Sequence, residues 1–263
     1  MNDLFNARRF LLLLKKTFIE RPVQTFGIMG LLLVLSVILY AVVKKIAGFS
    51  PAQNITLIWG LAGGGFFLTS FVFGYFGTNA NGCSYLTLPV SFLEKWLCAI
   101  VIAGILYPVV FLSCYHLIDV IFVAAYHRSL DPTSIFYRQL YDGVFTEDLN
   151  GRVAWKIYSL FLTFNGCMLM GGLYFNRTAF IKTAITIASL FLIIWGADWM
   201  IANLLFDHVQ DAAPYYVTLS IGKETGTLIL PTKIEGFFHD GFAYVIPLIL
   251  WVLPLVRLRE KEF

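Results

Sequence analysis

The sequence holds few residues that could carry out catalytic or metal chemistry. No two histidines have the His-Glu-x-x-His spacing that binds zinc. Gly222-Lys223 is followed by Glu224 where a phosphate-binding loop needs Ser or Thr, so this means of binding and hydrolysing ATP is missing. The four cysteines form no Cys-x-x-Cys pair, which argues against a structural metal or a disulfide framework. We therefore predict that the chain is not an enzyme and has no catalytic, cofactor or metal site. A hydrolase is kept as an alternative because all four histidines fall on one side of the predicted topology: His116, His127, His208 and His239.

Three ionisable residues lie inside long apolar stretches, where a charge is costly and often functional. His116 and Asp119 are one helical turn apart, and Asp198 lies between two tryptophans. One interpretation is a polar pathway through a helix bundle. The other is a satisfied pair at the headgroups, because Asp119 lies about 33 Å from Leu97 along a helix axis. Flanking tryptophans are typical of the aromatic belt at a membrane boundary, which favours the second interpretation for Asp198.

The elements that must position these residues are apolar stretches of about twenty residues, long enough to cross the roughly 30 Å core of a bilayer. In lipid such segments must be helical to satisfy their own backbone. The composition agrees, because 59% of the residues are hydrophobic and only 13% are charged. We predict an all-α membrane protein with six transmembrane helices, at 23–43, 55–77, 97–125, 157–175, 183–206 and 237–256.

Lysine and arginine set the predicted orientation. With an even number of spans both termini share one side, and the first 22 residues carry five basic residues, which places that side in the cytoplasm. The two longer loops, 126–156 and 207–236, are then external, and neither is long enough to form a separate catalytic domain. The net charge of +3 gives no support to nucleic-acid binding, and the lipid bilayer is the expected environment.

Two further segments carry packing signals. Residues 1–22 combine apolar residues near helical spacing with Arg8, Arg9, Lys15 and Lys16, which predicts an amphipathic helix in the headgroup plane; an ordinary cytoplasmic tail is the alternative. In the second span, Gly60 and Gly64 have the spacing that lets another helix approach closely. That helix could belong to the same subunit or to another one.

The connection 78–95 is the most distinctive cytoplasmic segment. Pro89 ends one element, and Ser91 followed by Glu94 forms a Ser-x-x-Glu capping box that begins the third span. A short, partly apolar element is therefore expected to lie across the cytoplasmic face between spans two and three.

The basic stretch Arg8-Arg9-Phe10 to Lys16, the Leu-Pro-x-Ser-x-x-Glu-Lys stretch that ends at Lys95, and the six-span layout resemble the ABC-2 type permeases. These are the membrane subunits of small bacterial ABC transporters. The resemblance implies a plasma-membrane protein that pairs with a second permease subunit, as a homodimer or heterodimer, and with a cytoplasmic ATPase that binds the ATP, with export as the expected direction. It also implies a membrane domain over 23–263 after the interfacial helix 1–22. The residues that it assigns to ATPase coupling are Tyr85, Leu86, Leu88, Pro89, Ser91, Glu94 and Lys95.

The chain departs from this family in the loop between spans five and six. Residues 215–220 and 227–231 are two β-prone runs around a turn, which predicts an external β-hairpin where relatives often have short re-entrant helices. A hairpin alone is marginally stable in water, so we expect it to pack on the loop 126–156 or on a partner. The alternative function is a non-transporting membrane anchor or sensor that binds a partner through its external loops.

Overall fold

The computed structural model of the 263-residue chain describes residues 5–20, 22–77, 79–175, 178–206, 209–213, 216–221, 224–229 and 241–260. Most of these residues are helical. The α-helices are α1 (Ala7–Glu20), α2 (Ile28–Ala47), α3 (Phe49–Leu57), α4 (Gly64–Val72), α5 (Asn79–Leu86), α6 (Phe92–Ile100), α7 (Tyr107–Ser129), α8 (Tyr137–Asp142), α9 (Arg152–Tyr174), α10 (Ala179–Leu205) and α11 (Ile246–Glu260).

Five continuous helical segments are long and apolar enough to cross a membrane, which confirms the predicted multi-span helical membrane protein at this level. Span 3 has 38 residues rather than the 29 of the predicted stretch 97–125. At about 1.5 Å per residue it is about 57 Å long, far more than a hydrocarbon core requires, so it extends beyond the bilayer. The five segments are span 1 (Thr25–Ala47), span 2 (Phe49–Val72), span 3 (Phe92–Ser129), span 4 (Arg152–Tyr174) and span 5 (Ala179–Leu205).

Short π-helical segments interrupt the α-helical pattern. They cover Val23–Gly27, Ile58–Gly63, Val101–Leu106 and Gly241–Val245. Three of these segments lie within two residues of a proline, at Pro22, Pro108 and Pro247. Proline lacks the backbone N–H that the regular α-helical hydrogen bonds need, which favours an interruption nearby. The hydroxyl of Tyr107, the first residue of α7, donates to the carbonyl of Gly60 in the second of the π-helical segments. That bond satisfies a backbone oxygen at a depth where water is scarce.

The glycines of span 2 pack against helices of the same chain. A methyl group at Gly60 would overlap the Phe111 ring, and one at Gly64 would overlap the Tyr107 hydroxyl. At Gly65 an added Cβ would lie 2.7 Å from the Asn165 amide nitrogen. These contacts join span 2 to spans 3 and 4, so the predicted Gly60 and Gly64 packing surface is used within the subunit.

The last helix completes the bundle. It packs against α9 and α6, and the Trp251 indole donates to the Leu162 carbonyl at 2.8 Å. The Trp96 indole in turn donates to the Trp251 carbonyl at 2.8 Å. The first residues of the predicted sixth stretch, 237–240, lie outside the described part of the chain. The helical turn that precedes α11 begins at Gly241.

A small antiparallel sheet follows span 5. Its strands are β1 (Val209–Ala213), β2 (Tyr216–Ile221) and β3 (Glu224–Ile229), in the order β1-β2-β3. Ile221 pairs with Glu224. The paired strands therefore include residue 221 and residues 224–226, which the predicted runs 215–220 and 227–231 had left in the turn. The sequence pattern did not indicate β1, which contacts the end of α10.

The core forms two clusters along the bundle. We call the end that carries α1 and α5 the joint end, and the end that carries residues 130–151 the loop end. The joint-end cluster includes Leu13, Phe76, Tyr85, Cys98 and Leu173. The second cluster fills the bundle toward the loop end and contains Leu57, Leu61, Tyr107, Phe111, Tyr115, Ile157 and Phe161.

Candidate functional site

Glu94 ties the N-terminal helix to the start of span 3. Its side chain is fully buried. One carboxylate oxygen accepts from the Ser91 backbone N–H at 2.9 Å, and the Glu94 N–H donates to the Ser91 hydroxyl at 3.2 Å, so the predicted capping box is formed. The other oxygen accepts from the Asn6 backbone N–H at 2.7 Å and lies 3.4 Å from the Arg9 guanidinium. One side chain thus begins α6 and anchors α1.

Asn6 connects this anchor to the first turn of α1. Its side-chain oxygen accepts from the Arg8 backbone N–H at 3.0 Å, which is the usual role of an N-cap residue. Because the Asn6 N–H is itself bound to Glu94, the first turn of α1 and the first turn of α6 share one hydrogen-bonded unit. Further along α1, the Thr17 hydroxyl lies 3.9 Å from the Cys98 sulfur, so α1 contacts α6 at a second point.

Lys95 ties α5 to the same point. Its side chain is 1% exposed, and its ammonium donates to the Leu86 carbonyl at 3.0 Å. Leu86 is the last residue of α5, so Lys95 satisfies one of the carbonyls that a helix end leaves unpaired and places a cation at the negative end of the helix. The ammonium also lies 5.5 Å from the ring centroids of Tyr85 and Phe92.

Aromatic packing joins α5 to the short helical turn Gly74–Gly77, which follows span 2. Tyr85 is 7% exposed and stacks on Tyr75 with ring centroids 4.7 Å apart. It also contacts the Phe76 ring edge to face at 5.7 Å. Burial raises the pKa of the Tyr85 hydroxyl above its ordinary range. A displacement of α5 would therefore be transmitted to span 2 through these rings and to span 3 through Lys95.

The predicted coupling residues divide into two groups by exposure. Tyr85, Glu94 and Lys95 face inward, while Leu86, Leu88 and Ser91 are half-buried and Pro89 is exposed. The buried members can position the segment, but they cannot touch a separate protein without rearrangement. The exposed residues of this segment are Cys83, Ser84, Thr87, Pro89 and Phe92. The sequence alone did not indicate that these residues face outward. We call α5 and residues 87–95, together with the docked α1, the inner joint.

α1 has the amphipathic character predicted for residues 1–22. Leu13 is buried, and Phe10, Leu14 and Phe18 cover the joint-end cluster. On the opposite side, Leu11 and Leu12 are more than half exposed. The Lys16 ammonium lies 3.5 Å from the Glu20 carboxylate, a pair on the helix surface. A helix with apolar residues on both faces can pack on the bundle with one face and lie against lipid with the other.

Asp119 forms a second buried cluster, at the loop end of span 3. It is 1% exposed and accepts from the Tyr40 hydroxyl at 2.6 Å and the Gln53 amide at 2.9 Å on one oxygen. The other oxygen accepts from the Glu147 backbone N–H at 2.7 Å. The expected His116 and Asp119 pair is a wrong prediction, because His116 is exposed and Asp119 binds spans 1 and 2 and the loop instead.

This cluster fastens residues 130–151 over the end of the bundle, and we call it the outer seal. The Gln53 amide also donates to the Phe145 carbonyl at 2.7 Å, and the Tyr158 hydroxyl donates to the Leu149 carbonyl at 2.8 Å. A ring nitrogen of His127 lies 3.0 Å from the Val144 carbonyl. Burial, followed by repulsion from Asp119 and Asp148, raises the pKa of the half-buried Glu147 carboxyl.

Several polar residues of the spans have atoms that lack such partners among the described residues, and Asp198 and Asn165 are two of them. Asp198 is half-buried on α10, and one of its carboxylate oxygens is shielded from solvent with no hydrogen-bond partner in the described part of the chain. Asn165 in span 4 is fully buried, and neither atom of its amide has a partner among the described residues. Asn165 carries no charge, so its position in an apolar stretch did not mark it in the sequence. An unsatisfied amide in an apolar interior is costly and is a candidate functional group.

The described residues contain no group of three or more His, Cys, Asp or Glu side chains that could hold a metal ion. The arrangement is a set of mechanical links, because buried polar side chains bind α1 and α5 at one end of span 3 and residues 144–149 at the other. In comparisons with known proteins, no family model, no curated protein and no solved structure matches this chain.

Proposed function

We propose that this chain is a permease subunit of an ATP-driven transporter of the ABC-2 type, coupled to a separate cytoplasmic ATPase through the inner joint. The observation that carries the proposal is the adjacent pair Glu94 and Lys95. Each uses its charge to hold a different helix, α1 or α5, to the start of span 3. A polar cluster this well bonded gives a segment that moves as one body with the span behind it.

The proposed mechanism begins at the exposed face of the inner joint. An ATPase that binds Cys83, Thr87 and Pro89 would push α5 toward the bundle when it closes on ATP. The Lys95 bond to Leu86 carries that push to span 3, and the Tyr75 and Tyr85 stack carries it to span 2. Spans 2 and 3 then tilt, and the path changes from one side of the membrane to the other. In this mechanism Glu94 and Lys95 are positioning residues, and Pro89 is a contact residue.

Three finer features belong to the same proposal. The joint end lies in the cytoplasm of a bacterial cell with both termini, α11 with the turn before it is the sixth crossing, and the sheet is external. A second permease subunit completes the path. The exposed, apolar α10 supports that partner, because only Thr183 and Ala202 of its side chains are buried in the described chain. The half-buried Asp198 on this helix is a polar group that a neighbouring subunit could satisfy.

A decisive test uses matched proline substitutions. Pro89 is on the exposed face of the inner joint, and Pro132 is exposed in the loop beyond span 3. Pro89→Asp should abolish both co-purification of an ATP-hydrolysing chain and stimulation of its activity in proteoliposomes, because a charge is forced into the contact. Pro132→Asp should leave both unchanged. Equal behaviour of the two variants, with intact assembly and stimulation, would contradict the coupling assignment.

One observation favours the anchor or sensor as a second candidate. The loop beyond span 3 exposes large apolar side chains, with Ile135 at 96% and Phe136 and Phe145 at 64%. Exposed apolar residues on an ordered loop are typical of a docking surface for another protein. A receptor of this kind should bind its external partner with or without nucleotide. ATP-driven movement of a solute in vesicles would rule it out as the main role.

A further inference from the structure

A lateral groove lies beside the first turns of span 4. It has a volume of about 810 Å³ and opens between α9 and the helical turn Gly241–Val245 that precedes α11. The Ser159 hydroxyl donates to the Ala243 carbonyl at 3.2 Å, so the two helices are joined at the base of the groove. Its lining residues in α9 include Arg152, Lys156, Leu160, Thr163 and Phe164.

The lining changes character along the helix. Arg152 and Lys156 are one turn apart at the loop end of span 4, and both are exposed. No acidic residue in the described part of the chain forms an ion pair with either of them. Deeper along α9 the wall becomes apolar at Leu160, about 12 Å from Arg152 along the helix axis.

Aromatic residues frame the mouth of the groove. Trp155 and Tyr244 are both more than half exposed, and they line it from the two helices. Tryptophan and tyrosine prefer the depth at which headgroups meet hydrocarbon, because their rings are amphipathic. The two cations therefore lie at headgroup depth, and the apolar wall lies at the depth of the acyl chains.

We propose that this groove binds an anionic phospholipid from the surrounding leaflet. The phosphate is bound by Arg152 and Lys156, whose planar guanidinium and ammonium donate charge-assisted hydrogen bonds. The acyl chains lie along Leu160 and Phe164, and the rings of Trp155 and Tyr244 cover the glycerol region. Basic pockets between spans select anionic headgroups in this way. Binding needs neither nucleotide nor an ATPase, so the site is independent of the transport proposal.

The charge complementarity can be tested with the full-length purified chain. Phosphatidylglycerol and phosphatidylcholine with identical acyl chains are titrated separately and followed by native mass spectrometry. The wild-type protein should bind phosphatidylglycerol about thirtyfold more tightly, since each of the two cations contributes on the order of 1 kcal/mol near a membrane surface. The double variant Arg152→Gln/Lys156→Gln should lose this preference. Arg128→Gln/Arg138→Gln, which removes two exposed cations outside the groove, should keep it.

Two further arms make the result unambiguous. Leu160→Trp fills the apolar wall without changing charge, so it should weaken phosphatidylglycerol binding at least fivefold and serves if the double variant does not fold. Inorganic phosphate at millimolar concentration should not displace the lipid. Equal affinity of the wild type for both lipids, an unchanged preference in the groove double variant, or displacement by inorganic phosphate alone would overturn the proposal.

Discussion

Span 3 carries a buried carboxylate near each end, and the two are held in different ways. Glu94 and Asp119 lie about 38 Å apart along the helix axis. Each accepts a backbone N–H from a distant part of the chain, from Asn6 in one case and from Glu147 in the other. Glu94 also faces the partly exposed guanidinium of Arg9, whereas the hydrogen-bond donors found for Asp119 in the described chain are all neutral.

This difference in partners indicates that the inner joint and the outer seal have different mechanical roles. The inner joint has an exposed face, a cation at the edge of water and two helices fastened to one point, so a protein that binds there can move it. The outer seal fastens the loop to the bundle through the buried side chains of Gln53 and Asp119, and Asp119 also binds Tyr40 of span 1. A push at the inner joint is therefore expected to reach span 3 while the outer seal keeps its loop attached to the span.

The largest expected effect is at the outer seal. Asp119→Ala leaves the Tyr40 hydroxyl, the Gln53 amide and the Glu147 N–H without this acceptor, and the Tyr40 and Gln53 side chains are shielded from water. Leaving buried donors unpaired should cost about 3 kcal/mol of unfolding free energy. Thermal unfolding of the detergent-solubilised protein measures it. Asp119→Asn, which keeps one acceptor oxygen, should lose less, and a loss below about 1 kcal/mol for Asp119→Ala would show that the seal is not a stabilising cluster.

Glu94→Ala should have a smaller and local effect. The change removes the acceptor of the Ser91 N–H, which is the Glu94 half of the capping box, and the acceptor of the Asn6 N–H, which together contribute about 2 kcal/mol. Hydrogen exchange should show that the amides of α1 lose protection while those of residues 144–149 keep it. Asp119→Ala should give the reverse pattern. If both variants loosen both ends equally, the comparison between joint and seal is wrong.

Lys95→Met tests the link between α5 and span 3. The methionine keeps most of the apolar stem but leaves the Leu86 carbonyl without its cationic donor, which should weaken the attachment of α5 by about 1 kcal/mol. The expected readout is faster exchange of the α5 amides together with reduced ATPase stimulation. Lys45→Met, at an exposed lysine of span 1, is the matched control and should change neither.

The smallest expected effect is the pH dependence of the outer seal. Because the pKa of Glu147 is raised when the loop is docked, the docked loop holds a proton more tightly than the released loop. The stabilisation is fully present below the ordinary pKa of glutamate and is lost as the pH rises through the raised pKa. Glu147→Gln should flatten the change in melting temperature between pH 4 and pH 7, about the range in which glutamate titrates. An unchanged pH profile in this variant would contradict the assignment.

Much of the local architecture follows from the sequence. Apolar length indicated the spans, and the Ser91 and Glu94 spacing indicated the start of span 3, because a capping box depends only on neighbouring residues. The amphipathic pattern of residues 1–22 indicated α1 for the same reason. These features are set by contacts within one or two helical turns.

Contacts between distant segments could not be predicted in this way. The spacing of His116 and Asp119 suggested a pair on one helix, but the helix turns Asp119 toward Tyr40 and Gln53 and leaves His116 exposed. The role of Lys95 as a cap for α5 depends on a chain reversal between Leu86 and Phe92. Asn165 gave no signal, since an uncharged residue in a span becomes conspicuous only when its neighbours are known to offer no partner.

A cytoplasmic ATPase can bind the inner joint only if the joint lies on the cytoplasmic side of the membrane. Cys83 provides a natural reporter, because it is exposed on α5 while Cys98 is buried and Cys114 and Cys167 are half-buried in the spans. A membrane-impermeant maleimide should label Cys83 in inside-out vesicles and leave it unlabelled in right-side-out vesicles, with Cys83→Ser as the control. Labelling of Cys83 from the outside of right-side-out vesicles would contradict a cytoplasmic ATPase contact at the inner joint and the transport function that depends on it.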